Sequence, residues 1–543
     1  MMEAIKQLIL ATAPEAVLEE KALLTVTVAP DDLRALATAL KNDPASRFDF
    51  LIQLTGVDEG ETFSVVYLMT SSDDMSRQLV VKTYTADREN PVLPTVSDIW
   101  GTALLNEREV FGFLGIRFIG HPDMRHLFLT ERWKGYPLRK DYDASREANP
   151  VDVTSYPMSD HTETWVKGKE GLQHEKIQLF DEDDYVLNIG PQHPATHGVL
   201  HFRTALDGEI IKKIDVNCGY IHRGIEKLSE GLTYPQILHF TDRLDYLSAH
   251  INRHALCMCV EKAAGIEVTD RVDVIRTIMD ELTRVTSHLL SWATMCMDMG
   301  ALTAFIYGMR DREKIMDIFE ETTGGRLIQN YNVIGGVMAD LHPDFQRKVK
   351  AFIPYMREKL KEYHQLYTGN VIAVNRMKGV GILRKETAIS YAVSGPVGRA
   401  SGLSCDLRKI LPYSAYGKVE FKEIIRHEGD SMARYLNRLD EIEESLHILE
   451  QLIDAIPEGA YCVKTKPIIR LQEGEYFQRV EAARGEFGVY IQSRGDKTPW
   501  RLKFRSPSMA LVSVMDTICH GAKVADLVTI GGSMDYVIPD IDR

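Results

Sequence analysis

Asn188-Ile-Gly-Pro-Gln-His-Pro-Ala-Thr-His-Gly-Val-Leu200 decides how the rest of the chain is read. Pro191 and Pro194 each fix φ and lack an N–H, so the stretch cannot be regular helix or central strand. The apolar run Tyr185–Ile189 precedes it, and Leu200, Phe202, Thr204 and Leu206 alternate after it. The pattern predicts a rigid loop between two strands, with His193 and His197 at its tip. Taken alone, this is a turn with two surface histidines. A stiffened loop bearing groups that titrate near neutral pH is also a sound way to deliver a proton to a fixed point. The i, i+4 spacing would suit a metal on one helical face, but the prolines remove the helix. No Cys or Glu in the loop completes a ligand set.

Downstream, Asp207-Gly208 marks a favoured two-residue turn between strands. Helices then dominate. Thr241 or Asp242 can cap a helix running to about Ala264, which places Tyr246 one to two turns inside it. Such a tyrosine is ordinarily core, and it also suits a donor aimed into a cavity. Asp270 can cap a longer helix, in which Ile275, Met279, Leu282, Val285, Leu289, Trp292 and Cys296 repeat at helical spacing. Asp298 falls at its end, just before Gly300. A carboxylate there opposes the macrodipole, so it is either solvated or a proton-exchanging group. Pro343–Gln365 and Lys422–Ala455 predict further helices. The alternating Phe487, Val489, Ile491 and Trp500, Leu502, Phe504 predict a hairpin across Arg494-Gly-Asp.

Upstream, residues 1–145 mix helix and strand signals. Asp31–Leu40 reads as helix, while Phe48–Gly56, Phe63–Met69 and Gln78–Tyr84 read as strands with antiparallel pairing. Trp133–Tyr142, with Pro and Gly beside Trp and paired charges, is an ordered irregular arm that either packs on its own domain or docks on a partner. Residues 146–180 are polar with little periodicity and read as linker. The expected fold class is therefore α+β. A small α/β domain over 1–145 is joined by a linker, 146–180, to a larger, mainly helical domain with β-hairpins over 181–543.

Bulk properties limit the function. With 543 residues the chain exceeds one ordinary core. Its net charge of -14 argues against a nucleic-acid backbone as main partner. No apolar run is long enough to cross a bilayer, and the N-terminus lacks a convincing cleavage site. Seven cysteines, an odd and sparse number with no Cys-x-x-Cys, suit a reducing compartment. No phosphate-cradling glycine loop is present, so the chain itself is not expected to bind NADH or another nucleotide.

Several segments together resemble a fused C/D subunit of proton-pumping NADH–quinone oxidoreductase, respiratory complex I. Glu107-Arg-Glu109, Gly120-His-Pro122 and Pro137-Leu-Arg-Lys-Asp141 resemble its C-like, 30 kDa-type half. Gly190–Gly198, His222-Arg-Gly-Ile-Glu-Lys227 and Asp242-Arg-Leu-Asp-Tyr246 resemble its D-like, 49 kDa-type half. So do Asp298-Met-Gly-Ala301, Gly395-Pro396, Ser401-Gly402 and the ending Asp540-Ile-Asp-Arg543.

The resemblance implies a quinone-reducing site in which His197 and Tyr246 bond the two quinone carbonyls. It implies that Asp298 is coupled to the loop histidine as a proton relay, with His193 and Gly198 shaping the loop. It places Arg223 and Arg243 towards a 4Fe-4S cluster held by a neighbouring subunit. The partners implied are the cluster-bearing B-type subunit, the ferredoxin-like I-type subunit and the membrane H-type subunit. Peripheral attachment at the cytoplasmic face of a bacterial inner membrane follows. The electron donor, NADH, ferredoxin or another, stays open.

The 49 kDa-type half is also similar to nickel–iron hydrogenase large subunits, which supply both a fold expectation and a rival function. Those hold their metal on two Cys-x-x-Cys pairs, which this chain lacks. A non-catalytic assembly scaffold is the third reading. Two departures concern the site. Ile328 stands where the family commonly has a histidine, and Val333 where it commonly has an arginine. Isoleucine cannot couple cluster reduction to proton uptake, so a low-potential acceptor such as menaquinone is expected. Gly112 replaces an acidic residue usual in the first domain.

Overall fold

The computed structural model describes residues 2–143, 145, 159–168, 171–193 and 198–543. The chain divides into two compact units. The first comprises residues 1–188, 202–220 and 386–392, and the second comprises 189–201, 221–385 and 393–543.

The first unit is built on a five-stranded sheet ordered Val17–Glu20, Leu24–Val28, Gln78–Thr85, Phe63–Thr70, Phe50–Asp58. The three predicted strands are present, with Phe63–Thr70 in the middle and antiparallel to both of its neighbours. Leu24–Val28 joins Gln78–Thr85 in parallel, a pairing the sequence reading lacked. Every residue of Phe50–Asp58 and Phe63–Thr70 is buried, which explains their near-continuous apolar runs. Helix Pro30–Asn42 starts on its proline, whose missing N–H costs nothing at that position. Helix Ala103–Leu114 presses so closely on the sheet that a Cβ at Gly56 would stand 2.5 Å from Leu114 Cδ1.

Glu107 of that helix is fully buried, accepting from Thr95 Oγ1 at 2.5 Å and from the Val96 N–H at 2.9 Å. Burial pushes its carboxyl up to about 8. Gly112 leaves the buried Nδ1 of His126 without a partner among the described residues; a Cβ there would sit 3.3 Å from it.

Part of the expected linker is ordered. Residues His161–Gly168 and Gly171–Gln178 form an antiparallel hairpin. It is tied to Gly120–Arg125 by the Gly120 N–H to Trp165 carbonyl bond (2.8 Å) and the Met124 N–H to Glu163 carbonyl bond (2.6 Å). Its second strand is exposed throughout, so no buried face imposes an apolar alternation on the sequence. Tyr185–Ile189, His201–Asp207 and Ile210–Asn217 make a three-stranded sheet, and the hairpin turns at Gly208-Glu209, one residue after the expected Asp207-Gly208, because Asp207 still belongs to the strand. Arg125 and Arg203 both pair with buried Asp215 at 2.8 Å.

The second unit is organised around helix Asp270–Asp298, buried on all sides along most of its length. Its cap is Thr269, whose hydroxyl accepts from the Val272 N–H; Asp270 is the first helical residue rather than the cap. Helices Ala249–Ala264, Leu302–Thr323, Ser431–Leu452 and Val524–Met534 pack against it. Trp292 stacks on Tyr363 with centroids 4.0 Å apart. A three-stranded antiparallel sheet of Gly474–Ala482, Gly485–Ser493 and Arg501–Arg505 contains the predicted hairpin and one strand not foreseen.

Two helix boundaries shift. Asp430 caps Ser431–Leu452 by accepting from the Ala433 N–H at 2.8 Å, so the helix begins nine residues after the expected Lys422. Phe345–Tyr363 ends in a π-helical turn, His364–Thr368. Among the described residues, no helix is long and apolar enough to cross a membrane.

Candidate functional site

The two arms flanking the predicted loop tip pair antiparallel, Gln192 with Val199 and His193 with Gly198. His197 lies outside the described residues, as does the His193 side chain. Gly198 has φ 153, and a Cβ there would stand 2.6 Å from Ile538 Cγ1. The loop base therefore needs glycine to lie against the C-terminal helix Ile538–Asp542.

Tyr246 is not on a helix. Tyr234–Thr241 ends, residues 242–248 turn, and Ala249–Ala264 begins anew. The polar groups of Thr241-Asp-Arg-Leu-Asp245 explain the break. Asp242 is drawn into a 2.9 Å pair with Arg253, and burial pushes its carboxyl up to about 6. Asp245 accepts from the Leu247 N–H at 3.0 Å, a turn contact that competes with helix. Its other oxygen accepts from Arg484 at 2.8 Å.

Arg484 is the cation behind Tyr246. It is fully buried, donating to Asp245, to Ser287 Oγ at 3.0 Å, to the Asp535 carbonyl at 2.8 Å and to the Asp535 carboxylate at 3.2 Å. Burial raises the Tyr246 phenol above its ordinary value. Arg484 opposes that shift, and Asp245 and Asp535 add to it. Tyr246 is thus a neutral, half-buried hydroxyl between a cation and two carboxylates.

Asp298 ends its helix as predicted, followed by Gly300 at φ 91. It is partly exposed. Its charge bears on Cys296 and on Tyr536, both raised chiefly by burial. The buried Tyr536 hydroxyl has no hydrogen-bond partner among the described residues.

Arg223 and Arg243 are brought together on an exposed face. Arg223 donates to the Arg243 carbonyl at 2.9 Å, and Arg243 to the His239 carbonyl at 2.7 Å. Burial, and then the Arg243 cation, lower Arg223 from its ordinary value. Neither forms an ion pair with a carboxylate among the described residues. The Arg223 N–H donates to the Arg543 carbonyl at 3.0 Å, and the Ile221 N–H to Asp542 Oδ2 at 3.0 Å. Glu226 is held at about 2 despite its burial, by Lys503, Arg501 and Arg543.

One segment runs past several parts of this arrangement. Within residues 535–543, Ile538 lies against Gly198, the Arg543 carbonyl accepts from the Arg223 N–H, and Asp535 shares Arg484 with Asp245, the residue before Tyr246. Sequence alone offers this ending as a family mark and as a stretch without thiolates, and gives Arg484, Asp535 and Ser287 no role. The one available signal is Arg484 itself, a charge in the two-residue turn between the inner end of Gly474–Ala482 and the buried strand Gly485–Ser493. Ile328 and Val333 lie in the segment entering the short strand Asn332–Val333. The Val333 carbonyl accepts from Arg276 at 2.9 Å, so a cation reaches that backbone from the central helix.

A mixed α/β first unit and a larger, helical second unit with buried carboxylate–arginine pairs make a two-part α+β protein. Residues 26–148 match the family model of the 30 kDa subunit of respiratory-chain NADH dehydrogenase, and 298–473 with 466–543 match that of the 49 kDa subunit. The chain belongs to the family of fused C/D subunits of NADH-quinone oxidoreductase. It is 62% identical over 506 residues to the C/D subunit of the Phocaeicola vulgatus enzyme, covering 93% of this chain and 97% of that one. It is 57% identical over 528 residues to that of Bacteroides thetaiotaomicron, covering 95% and 99%. The separate D-type subunit of the Bacillus anthracis enzyme matches 67% of this chain and all of its own length at 46% identity.

Proposed function

We propose that this chain is the peripheral-arm subunit of a quinone oxidoreductase that forms the quinone headgroup site, working only within its complex. The observation that carries the reading is that one C-terminal segment packs on the Gly198 loop base, bonds the Arg223 N–H and, through Arg484, holds the turn that carries Tyr246. Family membership supports it independently.

Reducing a quinone to a quinol takes two electrons and two protons, and negative charge builds on both oxygens. Tyr246 offers a neutral hydroxyl to one oxygen, kept protonated by burial. His197 offers the imidazole to the other, and Asp298 returns its proton. His193 and Gly198 shape the hairpin that presents it. Arg223 and Arg243 would lie towards a 4Fe-4S cluster of a neighbouring B-type subunit, whose chemistry would be one-electron supply. Nothing in this chain needs to ligate iron.

Other complex I subunits are the partners, the I-type and H-type subunits among them, at the cytoplasmic face of the membrane. Residues 1–145 form the C-like part and 181–543 the D-like part, which shares the nickel–iron hydrogenase large-subunit fold. The acceptor is a low-potential quinone such as menaquinone, in keeping with Ile328. The test is to purify the native complex and identify its subunits, clusters and bound quinone. A complex without quinone reductase activity, or with a cluster potential falling steeply as pH rises, contradicts the site reading or the menaquinone assignment respectively.

A further inference from the structure

Just past helix Asp270–Asp298 the second unit holds a cavity to which the proposed chemistry gives no role. Its volume is about 400 Å³, within the range of small-molecule sites. Residues 299–304 line it from one stretch of chain, and residues between 366 and 376 from another.

Tyr367 is the first sign of a ligand there. It lines the cavity and is only 5% exposed, yet its hydroxyl has no hydrogen-bond partner among the described residues. A buried hydroxyl ordinarily has one. The aromatic hydroxyls around it are satisfied. That of Tyr435 accepts from Trp292 Nε1 at 3.0 Å and shares a 2.8 Å bond with Thr368 Oγ1, and that of Tyr363 donates to Asp311 at 2.5 Å. Tyr367 belongs to the π-helical turn His364–Thr368, a conformation that recurs at functional sites.

The cavity is also electropositive. Arg376 is the one charged residue among the described residues that line it. It donates to the Ala525 carbonyl at 3.2 Å and forms no ion pair with a carboxylate among the described residues. Helix Leu302–Thr323, 22 residues long, begins at the cavity with no side chain capping its first N–H groups. Unsatisfied N–H groups and the helix dipole favour an anion there. The opening, by contrast, is apolar. Leu302 and Ile372 line the cavity and are 59% and 70% exposed. Ile306, one turn beyond Leu302, and Val371, beside Ile372, are 54% and 72% exposed. Apolar side chains gathered in the open mark a binding surface.

We propose that this cavity binds the anionic head of a lipid, a phosphate or carboxylate on an alkyl stem. Arg376, Tyr367 and the start of helix Leu302–Thr323 hold the head, and Leu302, Ile306, Val371 and Ile372 flank the stem. A neutral ligand would leave the cation unbalanced, and a free anion would leave the apolar rim in water. An acyl chain ending in one anionic group meets both demands. Neither Tyr246 nor the histidine loop takes part.

The test uses the complete purified complex in non-ionic detergent. The probes are phosphatidylglycerol with a diazirine in its acyl chain and the matching phosphatidylcholine. After irradiation, labelled peptides are identified by mass spectrometry. The anionic probe is expected to label peptides covering 299–306 and 366–376 about tenfold more than the zwitterionic one. Arg376→Gln should lower that labelling about tenfold, as one lost charge-assisted hydrogen bond implies, and Tyr367→Phe about threefold. Unlabelled dihexanoyl phosphatidylglycerol should displace the probe, and inorganic phosphate at the same concentration should not. Equal labelling by the two probes overturns the proposal, as does labelling unchanged in Arg376→Gln. Displacement by phosphate as effective as by lipid assigns the cavity to a free anion and overturns it too. So does an absence of label at these peptides, the result expected if water or a partner subunit's side chains fill the cavity. If Arg376→Gln does not assemble, Leu302→Glu, which adds a negative charge on the exposed rim, must lower the labelling, and an unmoved yield there is equally fatal.

Discussion

Arg484 holds Asp245, the residue before Tyr246, at 2.8 Å, both of them buried. The two lie 239 residues apart in sequence, one in a hairpin turn and one in the break between two helices. The ion pair fixes the turn that carries the phenol, so the position of Tyr246 depends on a strand connection that never touches it in sequence.

Removing that cation should be severe. Arg484→Met leaves Asp245 and Asp535 buried without their shared partner, and breaking such a pair costs about 3–5 kcal/mol. Thermal unfolding and incorporation into the complex should both fall. A variant with unchanged melting would mean that the two carboxylates are relaxed or protonated at little cost.

Tyr246→Phe removes one hydroxyl and little volume. Loss of a single donor to a developing oxyanion lowers turnover by about 10²–10³-fold. Quinone reductase rates of the assembled complex check this, with the same set of partner proteins co-purifying. Normal turnover would take the tyrosine out of the mechanism.

Gly198→Ala should damage the loop in two ways. The φ of 153 strains any side chain, at about 1–3 kcal/mol, and the new Cβ meets Ile538. Pairing it with Ile538→Ala relieves the contact but leaves the strain. Quinone reduction by the double variant should therefore recover only in part. Full recovery would assign the whole effect to the contact.

Glu107 gives a pH signature in the first unit. Its folded value, about 8, lies above the ordinary carboxylate value, so between the two the native state binds the extra proton. Stability therefore falls as pH rises from about 4.5 to 8, by about 3 kcal/mol at neutral pH. Glu107→Gln keeps an acceptor for the Val96 N–H, presents an amide N–H to Thr95 in place of the oxygen that accepts from it, and carries no charge. Melting temperatures of the variant should stay flatter from pH 5 to 8 and exceed the wild type at the alkaline end. Parallel curves would show that Glu107 is ionised in the fold.

Legibility tracked burial. Strands Phe50–Asp58 and Phe63–Thr70 and the stripe on Asp270–Asp298 could be read because nearly every residue faces a core. The hairpin His161–Gly168 and Gly171–Gln178 could not, because its outer strand is solvated and only backbone bonds tie it to Gly120 and Met124. The break before Ala249 was missed for a different reason. Asp242 and Asp245 look like helix-start residues, and only their distant partners, Arg253 and Arg484, show that they hold a turn.

By itself the sequence determined the family, through its motifs, and the placing of Asp298 at a helix end, through helical period and the glycine that follows. The tertiary structure alone decided that Arg484 holds the Tyr246 turn, that Arg223 and Arg243 share a face, and that the last nine residues reach Gly198, Arg223 and Arg484. Ion pairs and close packing depend on which distant segments meet, and residue order does not encode that meeting in any local pattern.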